Sequence, residues 1–330
     1  MGMKTKCVWV SQDEGESVVR QITEMELPDL LEGHVCIKVE YSSLNYKDAL
    51  AATGHKGVVR QLPIIPGIDA VGKVLDAGTS GFSVGQDVLV AHANFGTLSN
   101  GGYSEFIQVP AQWVFPLPEN LSARDAVAIG TAGFTAAQCV DELERHGIVP
   151  DQGPIVVTGA TGGVGVFAVK LLSQLGFEVC AVTGKPDKAD WLRSHGANQI
   201  LPRGDVDDSS GRPLLSSKWA GAVDTVGGNV LATLLRSAKP FSCVTACGLV
   251  AGNELNLTVY PFILRGVTLQ GIDTANIPVS RRRRIWQKIS TDWHFGNLDS
   301  LVTEISFDGL DAAIDSILDG QISGRVVLKI

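Results

Sequence analysis

The fold is decided by the stretch Ile155-Val156-Val157-Thr158-Gly159-Ala160-Thr161-Gly162-Gly163-Val164-Gly165. A short β-branched run passes into a cluster of glycines. The residues that follow are apolar at helical spacing, namely Val164, Phe167, Ala168, Leu171, Leu172 and Leu175. This order predicts a strand, a tight turn and a helix. A second β-branched run, from Val179 to Thr183, would complete a βαβ unit.

A turn of this kind is suited to a dinucleotide. Glycines let the backbone approach a pyrophosphate, and the free N–H groups at the start of a helix favour negative charge. The alternative is a glycine turn with a purely structural role. Because the turn lies between a β-branched run and an apolar helix, with a second strand at the right interval, we predict a dinucleotide site.

The end of the second strand indicates which dinucleotide binds. An NAD site usually has Asp or Glu there to hold the ribose 2′-hydroxyl. This chain has Thr183-Gly184-Lys185, and its next acidic residue is Asp187. Arg203 follows the next expected strand and could supply a second cation. A hydroxyl and two cations would bind a 2′-phosphate, which favours NADPH. In the alternative interpretation, Lys185 and Arg203 are solvated loop cations.

Composition excludes several classes of function. The 330 residues are enough for two domains, and 45% of them are hydrophobic against 19% charged, as in an ordinary soluble protein. The net charge of −8 argues against general nucleic-acid binding. One basic run, Arg281-Arg282-Arg283-Arg284, is expected to begin a helix with a solvated face, or alternatively to hold a phosphorylated substrate.

The cysteines and the N-terminal sequence indicate the cellular compartment in which the protein is expected to function. Six cysteines occur without a CxxC pair, which indicates free thiols in a reducing environment and neither a disulfide framework nor a zinc cluster. The polar N-terminus resembles no signal peptide, and no apolar run reaches the length that spans a membrane. We therefore expect a cytoplasmic protein that uses neither membrane nor nucleic acid as a partner.

The chain changes character near Ser122. Before that point, short strands and glycine- or proline-rich turns predict a compact β-domain, with strands at 35–41, 71–75, 88–91 and 103–109. From Ser122, helices at 126–129 and 135–143 precede a run of alternating strands and helices, which is typical of a doubly wound parallel sheet. The terminal strand 325–330 must pair elsewhere, so we expect it to return to the first domain.

Four motifs carry a resemblance to a known family. They are Asn45-Tyr46-Lys47-Asp48, Pro66-Gly67-Ile68-Asp69, Gly101-Gly102-Tyr103-Ser104-Glu105-Phe106 and Ala160-Thr161-Gly162-Gly163-Val164-Gly165. With the order of domains, they resemble the medium-chain dehydrogenase/reductase superfamily along essentially the whole chain. The resemblance implies an α/β protein with a discontinuous GroES-like catalytic domain at 1–121 and 275–330 and a Rossmann domain at 122–274. It also suggests a homodimer joined through Rossmann-domain edge strands.

Departures from the zinc-dependent members are informative. Asn45 stands near the position of the family's first cysteine ligand, and Ile68 replaces its histidine. The lobe at 92–102 has no cysteines for a structural zinc. The resemblance is therefore to the zinc-free, quinone oxidoreductase-like members, and we predict that the protein uses no metal.

Longer strings are similar to the acrylyl-CoA reductase branch of that group, namely 43–50, 129–136 and 261–267. This similarity implies NADPH-dependent reduction of the activated double bond of acrylyl-CoA to propionyl-CoA. By the same analogy the residues that contact the cofactor are Tyr46, Thr161, Gly162, Gly163, Val164, Thr183, Gly184, Lys185, Arg203, Leu249, Ile263, Thr274 and Arg325.

The chemistry of this reaction does not require a metal. A hydride would add to the β-carbon, donors would stabilise the charge on the carbonyl oxygen, and water or an acid would protonate the α-carbon. Tyr46 is the candidate catalytic residue, although its phenol could instead pack beside the nicotinamide. Three functions remain open: an enoyl-thioester reductase, which we favour, a broad reductase of quinones or enones, and a non-enzymatic NADPH-binding sensor.

Overall fold

The structure is a computed structural model that describes residues 3–15 and 17–330. Its strands are β1 (Lys4–Gln12), β2 (Val18–Glu26), β3 (His34–Leu44), β4 (Ala70–Asp76), β5 (Asp87–Val90), β6 (Phe106–Pro110), β7 (Val114–Pro116), β8 (Ile155–Val157), β9 (Val179–Thr183), β10 (Gln199–Pro202), β11 (Trp219–Asp224), β12 (Ala238–Ala246), β13 (Thr268–Gly271), β14 (Val302–Ile305) and β15 (Arg325–Lys329). Its α-helices are α1 (Tyr46–Ala52), α2 (Ala123–Arg145), α3 (Gly163–Gln174), α4 (Ala189–Ser194), α5 (Gly228–Arg236), α6 (Tyr260–Arg265), α7 (Val279–Ser290) and α8 (Leu310–Leu318). None of the described helices combines the length and apolar character that a membrane crossing needs.

Two units make up the described chain. The first comprises the residues up to Thr131 together with Asn297–Ile330, and the second comprises Ala132–Gly296. The expected limits at 121/122 and 274/275 lie elsewhere in the structure, at 131/132 and 296/297. The first limit falls inside α2, because this helix begins in one unit and ends in the other.

The second unit is built on a parallel sheet. Its strand order is β10-β9-β8-β11-β12-β13, which is the doubly wound order that the sequence predicted. Every residue of β8, β9 and β11 is buried, as expected for strands covered on both faces. Helix α3 turns Phe167 and Leu171 into this core, and burying each such side chain contributes about 1.5–3 kcal/mol.

The first unit is organised around β3. This strand pairs in antiparallel fashion with β4, β6 and β15, inside a seven-stranded sheet. Strand β15 is also paired in parallel with β14, so the terminal strand returns to the first domain as expected. Strands β1 and β2 form a separate antiparallel pair, and α1 packs against α8.

The basic run of residues 281–284 is partly engaged by acidic residues of α2. Arg281 contacts Asp141 and Glu142 of α2, and Arg284 lies 2.6 Å from Asp141. Burial alone would raise the pKa of Asp141, but Arg284 and Lys288 lower it below the usual value. Arg283 and Arg284 are exposed as expected, but the expectation of a solvated basic face is wrong for Arg281, which is partly buried and paired, and for Arg282, which is buried. The ion pairs of Arg281 and Arg284 tie α7 to α2 and keep α7 in the second unit.

Candidate functional site

The glycine-rich turn follows β8 and has no room for side chains. Gly159 has φ +57°, and a Cβ there would meet Thr225 Oγ1. A Cβ at Gly165 would meet the carbonyl oxygen of Gly159, so the first turn of α3 packs directly on the turn backbone. Only glycine fits both positions, and the resulting surface is bare backbone.

The start of α3 leaves amides available. Val166 N donates to Gly162 O at 3.0 Å, and it is the first amide of the helix to reach a carbonyl of the described chain. The amides of Gly163 and Val164 precede it and point out of the helix start. A glycine-lined helix N-terminus of this kind fits a pyrophosphate. Thr161, which the sequence also placed here, is buried beside Thr183, with 3.5 Å between the two hydroxyl oxygens.

The structure brings the two predicted cations together. Arg203 follows β10 and lies against Gly184, where a Cβ would be 2.5 Å from the guanidinium carbon. Lys185 N donates to Thr183 Oγ1 at 3.0 Å. Burial lowers the pKa of Lys185, and Lys188 and Arg203 lower it further against the opposing effect of Asp187. A lysine whose pKa is lowered by a neighbouring guanidinium marks a site where an anion would be stabilised.

A clamp behind the turn escaped the sequence analysis. Asp224, at the end of β11, accepts hydrogen bonds from Thr158 Oγ1 at 2.7 Å and from Gly227 N at 2.8 Å. Thr225 donates its amide to Thr158 Oγ1 and its hydroxyl to Thr158 O, both at 2.9 Å. Burial raises the pKa of Asp224, while these hydrogen bonds oppose the shift. The run Asp224-Thr225 after a buried strand is the sequence signal that could have revealed the clamp.

An open depression lies at the carboxyl ends of β12 and β13. Its volume is about 470 Å³, and its lining is Ala246, Cys247, Gly248, Leu249, Gly271, Ile272 and Asp273. Of the residues expected to face a nicotinamide, Leu249 lines it and is 65% exposed. Thr274 follows directly after the last lining residue. Ile263 is 67% exposed on α6 and is not part of this lining.

Buried polar groups hold the backbone beside this depression. Thr274 Oγ1 lies 2.8 Å from Thr135 Oγ1 and 3.2 Å from Gln138 Oε1. Gln138 donates its amide to Asp273 O at 3.3 Å, and Arg282 donates to Thr274 O at 2.9 Å. Apart from the Arg282 contact, these hydrogen bonds join residues more than 130 positions apart. A local sequence pattern therefore could not predict them.

In the first unit, Asp69 is the centre of a buried polar cluster. Its carboxylate accepts hydrogen bonds from Ser43 Oγ at 2.7 Å, Asn45 Nδ2 at 2.9 Å and Thr131 Oγ1 at 2.7 Å. It also accepts the Thr131 amide, which is freed because Gly130 breaks α2 with φ +43° and ψ −148°. Arg325 Nη2 lies 4.0 Å from the same carboxylate.

The Arg325 guanidinium is held by hydrogen bonds within the protein. It is 3% exposed, and its guanidinium donates to Ala128 O, Leu44 O, Asn45 Oδ1 and Ser43 Oγ. Burial lowers its pKa, and Asp69 and Asp48 oppose this effect. The cofactor contact expected of Arg325 stays a prediction, and the role visible in the structure is that of a counter-charge to Asp69.

Asp48 is a second buried acid, three residues into α1. It accepts Asn45 N at 2.8 Å and Ile68 N at 2.8 Å, and thus joins the helix start to the segment before β4. Burial, and then Asp69, raise the pKa of Asp48 to about 7 despite these hydrogen bonds. Tyr46, the candidate catalytic residue, begins the same helix and is 41% exposed, so its phenol is accessible.

The chain is similar to known oxidoreductases over its whole length. Residues 31–119 match the alcohol dehydrogenase GroES-like domain, and residues 163–291 match the zinc-binding dehydrogenase family. Acrylyl-CoA reductase AcuI from Ruegeria pomeroyi is 43% identical over 318 residues, covering 96% of each chain. The putative quinone oxidoreductase YhfP from Bacillus subtilis is 41% identical, covering 97% of each. The crystal structure of YhfP with NAD bound superposes with a TM-score of 0.95.

A second solved structure carries the other nicotinamide cofactor. The yhdH oxidoreductase from Salmonella enterica, in complex with NADP, is 43% identical and has a TM-score of 0.94, covering 99% of this chain and 100% of that one. The chain belongs to the medium-chain dehydrogenase/reductase family. The predicted family and fold class are thereby confirmed.

The positions that hold zinc ligands in other medium-chain dehydrogenases have a different chemistry here. The Asn45 amide is occupied by Asp48, Asp69 and Arg325. Ile68 offers a buried alkyl side chain, which cannot coordinate a metal. In residues 3–15 and 17–330 there is no group of three or more His, Cys, Asp or Glu side chains placed to hold a metal ion.

Asp48 is expected to make stability fall as pH rises. Its pKa is about 7 in the folded chain against an ordinary value of 3.8, so the folded state keeps a proton that the unfolded state has lost between these values. The free energy of unfolding of the wild type should therefore decline between pH 4 and pH 8. In Asp48→Asn this decline should be smaller by on the order of 4 kcal/mol.

Urea unfolding of both proteins across this pH range measures the effect. The variant loses hydrogen bonds and starts from a lower stability, so the slope with pH is the informative quantity. Glu119→Gln, at an exposed acid, is the matched control and should keep the wild-type slope. An Asp48→Asn slope equal to that of the wild type would contradict the raised pKa.

Proposed function

We propose that this protein reduces the activated double bond of an α,β-unsaturated acyl-CoA with NADPH, converting acrylyl-CoA to propionyl-CoA. The observation that carries the proposal is the 43% identity, over 96% of both chains, with an enzyme named for this reaction. A hydride adds to the β-carbon and a proton to the α-carbon, so the products are the saturated thioester and oxidised cofactor.

The residues present fit the cofactor. The amides of Gly163 and Val164 would hold the pyrophosphate, because glycines leave the turn without side chains at a helix start. Lys185 and Arg203 would hold the 2′-phosphate, with Thr183 placed between them and the turn. When bound, NADPH supplies the hydride from its nicotinamide ring.

The residues of this chain would stabilise the negative charge that develops on the substrate and would supply a proton. Negative charge develops on the thioester oxygen as the β-carbon is reduced, so a hydrogen-bond donor there lowers the barrier. The Tyr46 phenol is exposed, and we assign it this donor role or the delivery of the α-proton. Asn45 and Asp48 position Tyr46, since they fix the first turn of its helix.

We infer that the reaction is independent of zinc. Neither Asn45, whose amide is saturated with hydrogen bonds, nor Ile68 can replace the ligands of the zinc-dependent members. The second candidate function, a broad reductase of quinones or enones, is favoured by the similarity to YhfP, which is named a putative quinone oxidoreductase.

One substrate panel tests the function. With NADPH as donor, kcat/KM for acrylyl-CoA should exceed that for a simple quinone or enone by about tenfold or more. Prolonged incubation with a chelator should leave the rate unchanged. Equal or better rates with quinones would favour the second candidate, and tight NADPH binding without turnover of any acceptor would favour a sensor.

Cofactor preference depends on the two cations. Lys185→Ala combined with Arg203→Ala should abolish the preference for NADPH over NADH, because these are the two cations that we assign to the 2′-phosphate. The ratio of kcat/KM for the two cofactors measures this. Lys218→Ala with Arg212→Ala, two exposed cations elsewhere in the unit, is the control. Unaltered discrimination in the first variant would refute the assignment.

We further propose a homodimer formed through the second unit. Strand β13 ends the parallel sheet, and large apolar side chains lie exposed near it on β12, α6 and the residue before α6, namely Phe241 at 81%, Val259 at 61% and Leu264 at 63%. Exposed apolar groups beside an open sheet edge are typical of an interface.

Sedimentation analysis checks the assembly. The wild type should have the mass of two chains, and Val259→Glu with Leu264→Glu should shift it towards one chain because charge is then buried in the interface. Val84→Glu, at an apolar residue 69% exposed in the first unit, should leave the mass unchanged. A wild-type monomer would rule the proposal out. We place the protein in the cytoplasm, because all six cysteines are free thiols.

A further inference from the structure

We propose that Lys56 and Arg60 bind the phosphate groups of the substrate's coenzyme A moiety. The inference rests on the proposed function, since it assigns a contact to the acyl-CoA substrate of that reaction. The two residues belong to a turn that follows α1, which we call the basic turn and define as residues 55–60.

The charge around the basic turn is uncompensated. Between residues 46 and 68 the charged side chains are Lys47, Asp48, Lys56 and Arg60. The single acid, Asp48, is completely buried in the polar cluster and offers no surface charge. Lys56 and Arg60 are exposed, and neither has an ion-pair partner in the described part of the chain. A local positive surface on a chain of net charge −8 would attract an anion.

The acidic residues of the helix that packs on α1 are engaged by a residue outside the basic turn. Helix α8 carries Asp311 and Asp315, and both are paired with Arg20 at 3.0 Å. Arg20 of β2 thus engages both carboxylates and compensates one of their two negative charges.

Backbone hydrogen bonds hold the segment that carries the two cations. The amides of Val58 and Val59 both donate to His55 O, at 2.8 and 2.9 Å, which makes one helical turn. Lys56 lies within this turn and Arg60 follows it directly, so one short segment carries both exposed cations. His55 N donates to Leu50 O at 3.0 Å and Val59 is buried, so the turn is anchored to α1 and to the core.

The other basic run is excluded as the phosphate site. Arg281 and Arg284 are engaged by Asp141 and Glu142. Arg282 is buried and donates to Thr274 O. A phosphate at 281–284 would have to displace these ion pairs. At the basic turn, Lys56 and Arg60 have no ion pair within the described chain to displace.

The chemistry of the two cations suits coenzyme A. Its nucleotide end carries a 3′-phosphate and a 5′-diphosphate, which together need more than one cation. A guanidinium binds phosphate in a bidentate fashion, and an ammonium acts as a compact point charge. The basic turn lies in the first unit, whereas the predicted contacts to the cofactor's 2′-phosphate lie in the second, so the two sets of phosphates have separate partners.

Two thioesters separate phosphate binding from the chemistry. Acrylyl-CoA carries the phosphates, and acrylyl-N-acetylcysteamine keeps the thioester but lacks them. In Lys56→Glu with Arg60→Glu, KM for acrylyl-CoA should rise by about tenfold or more at low salt, with kcat nearly unchanged. The KM for the N-acetylcysteamine ester should stay within about twofold of the wild-type value.

The control variant is Lys4→Glu with Lys38→Glu. It makes the same change in net charge at two exposed, unpaired lysines of the first unit, on β1 and β3. It should keep the wild-type KM for both esters. An unchanged KM for acrylyl-CoA in the basic-turn variant would overturn the proposal, and so would an equal loss with both esters or the same loss in the control.

A binding measurement separates failure of this inference from failure of the proposed function. Calorimetry with free coenzyme A needs no turnover. Binding that weakens with added salt and is lost in Lys56→Glu with Arg60→Glu supports the site even if the wild type reduces neither ester, an outcome that would refute the proposed function alone. Equal coenzyme A affinity in wild type and variant overturns the site whatever the activity.

Discussion

The first unit depends on the buried carboxylate of Asp69. A carboxylate taken out of water must be paired and hydrogen-bonded, and leaving it without its partner costs about 3–5 kcal/mol. Here the donors are Ser43 at the end of β3, Asn45 before α1, and Thr131 just after the break in α2, with Arg325 of β15 close by. One charge thus requires four separate parts of the chain to converge. The arrangement of α1, and with it the exposed phenol of Tyr46, follows from this requirement.

In the second unit the important polar groups are backbone amides that are not paired within the described chain. The clamp formed by Asp224 and Thr158 holds the turn from behind, and Gly159 and Gly165 keep its front free of side chains. The amides at the start of α3 are then available for a ligand. At the end of β9, Arg203 is close enough to Lys185 to lower its pKa, and a bound anion would relieve this repulsion.

Sequence patterns predicted the elements whose periodicity is local. Strand β9 has the expected limits, and the doubly wound sheet followed from alternating strands and helices. The proximity of Lys185 and Arg203 could be anticipated, since both follow neighbouring parallel strands. The Asp69 cluster could not, because its members come from positions 43, 45, 69, 131 and 325 and each looks like an ordinary polar residue alone. The pairing of Arg281 with Asp141 escaped for the same reason, and short α1 has too few turns to show a period.

The cluster also explains how a medium-chain dehydrogenase can fold around this point without zinc ligands. In a zinc-dependent member, ligands at the positions of Asn45 and Ile68 would be joined by coordination to the metal. In this chain Asp69 and Asp48 join the same segments by hydrogen bonds to backbone and side-chain donors. The charges also balance: Asp69 is matched by Arg325, and Asp48 stays neutral until pH nears its raised pKa of about 7. A neutral cluster needs no ion to compensate it, so buried hydrogen bonds can replace coordination as the tie between these segments.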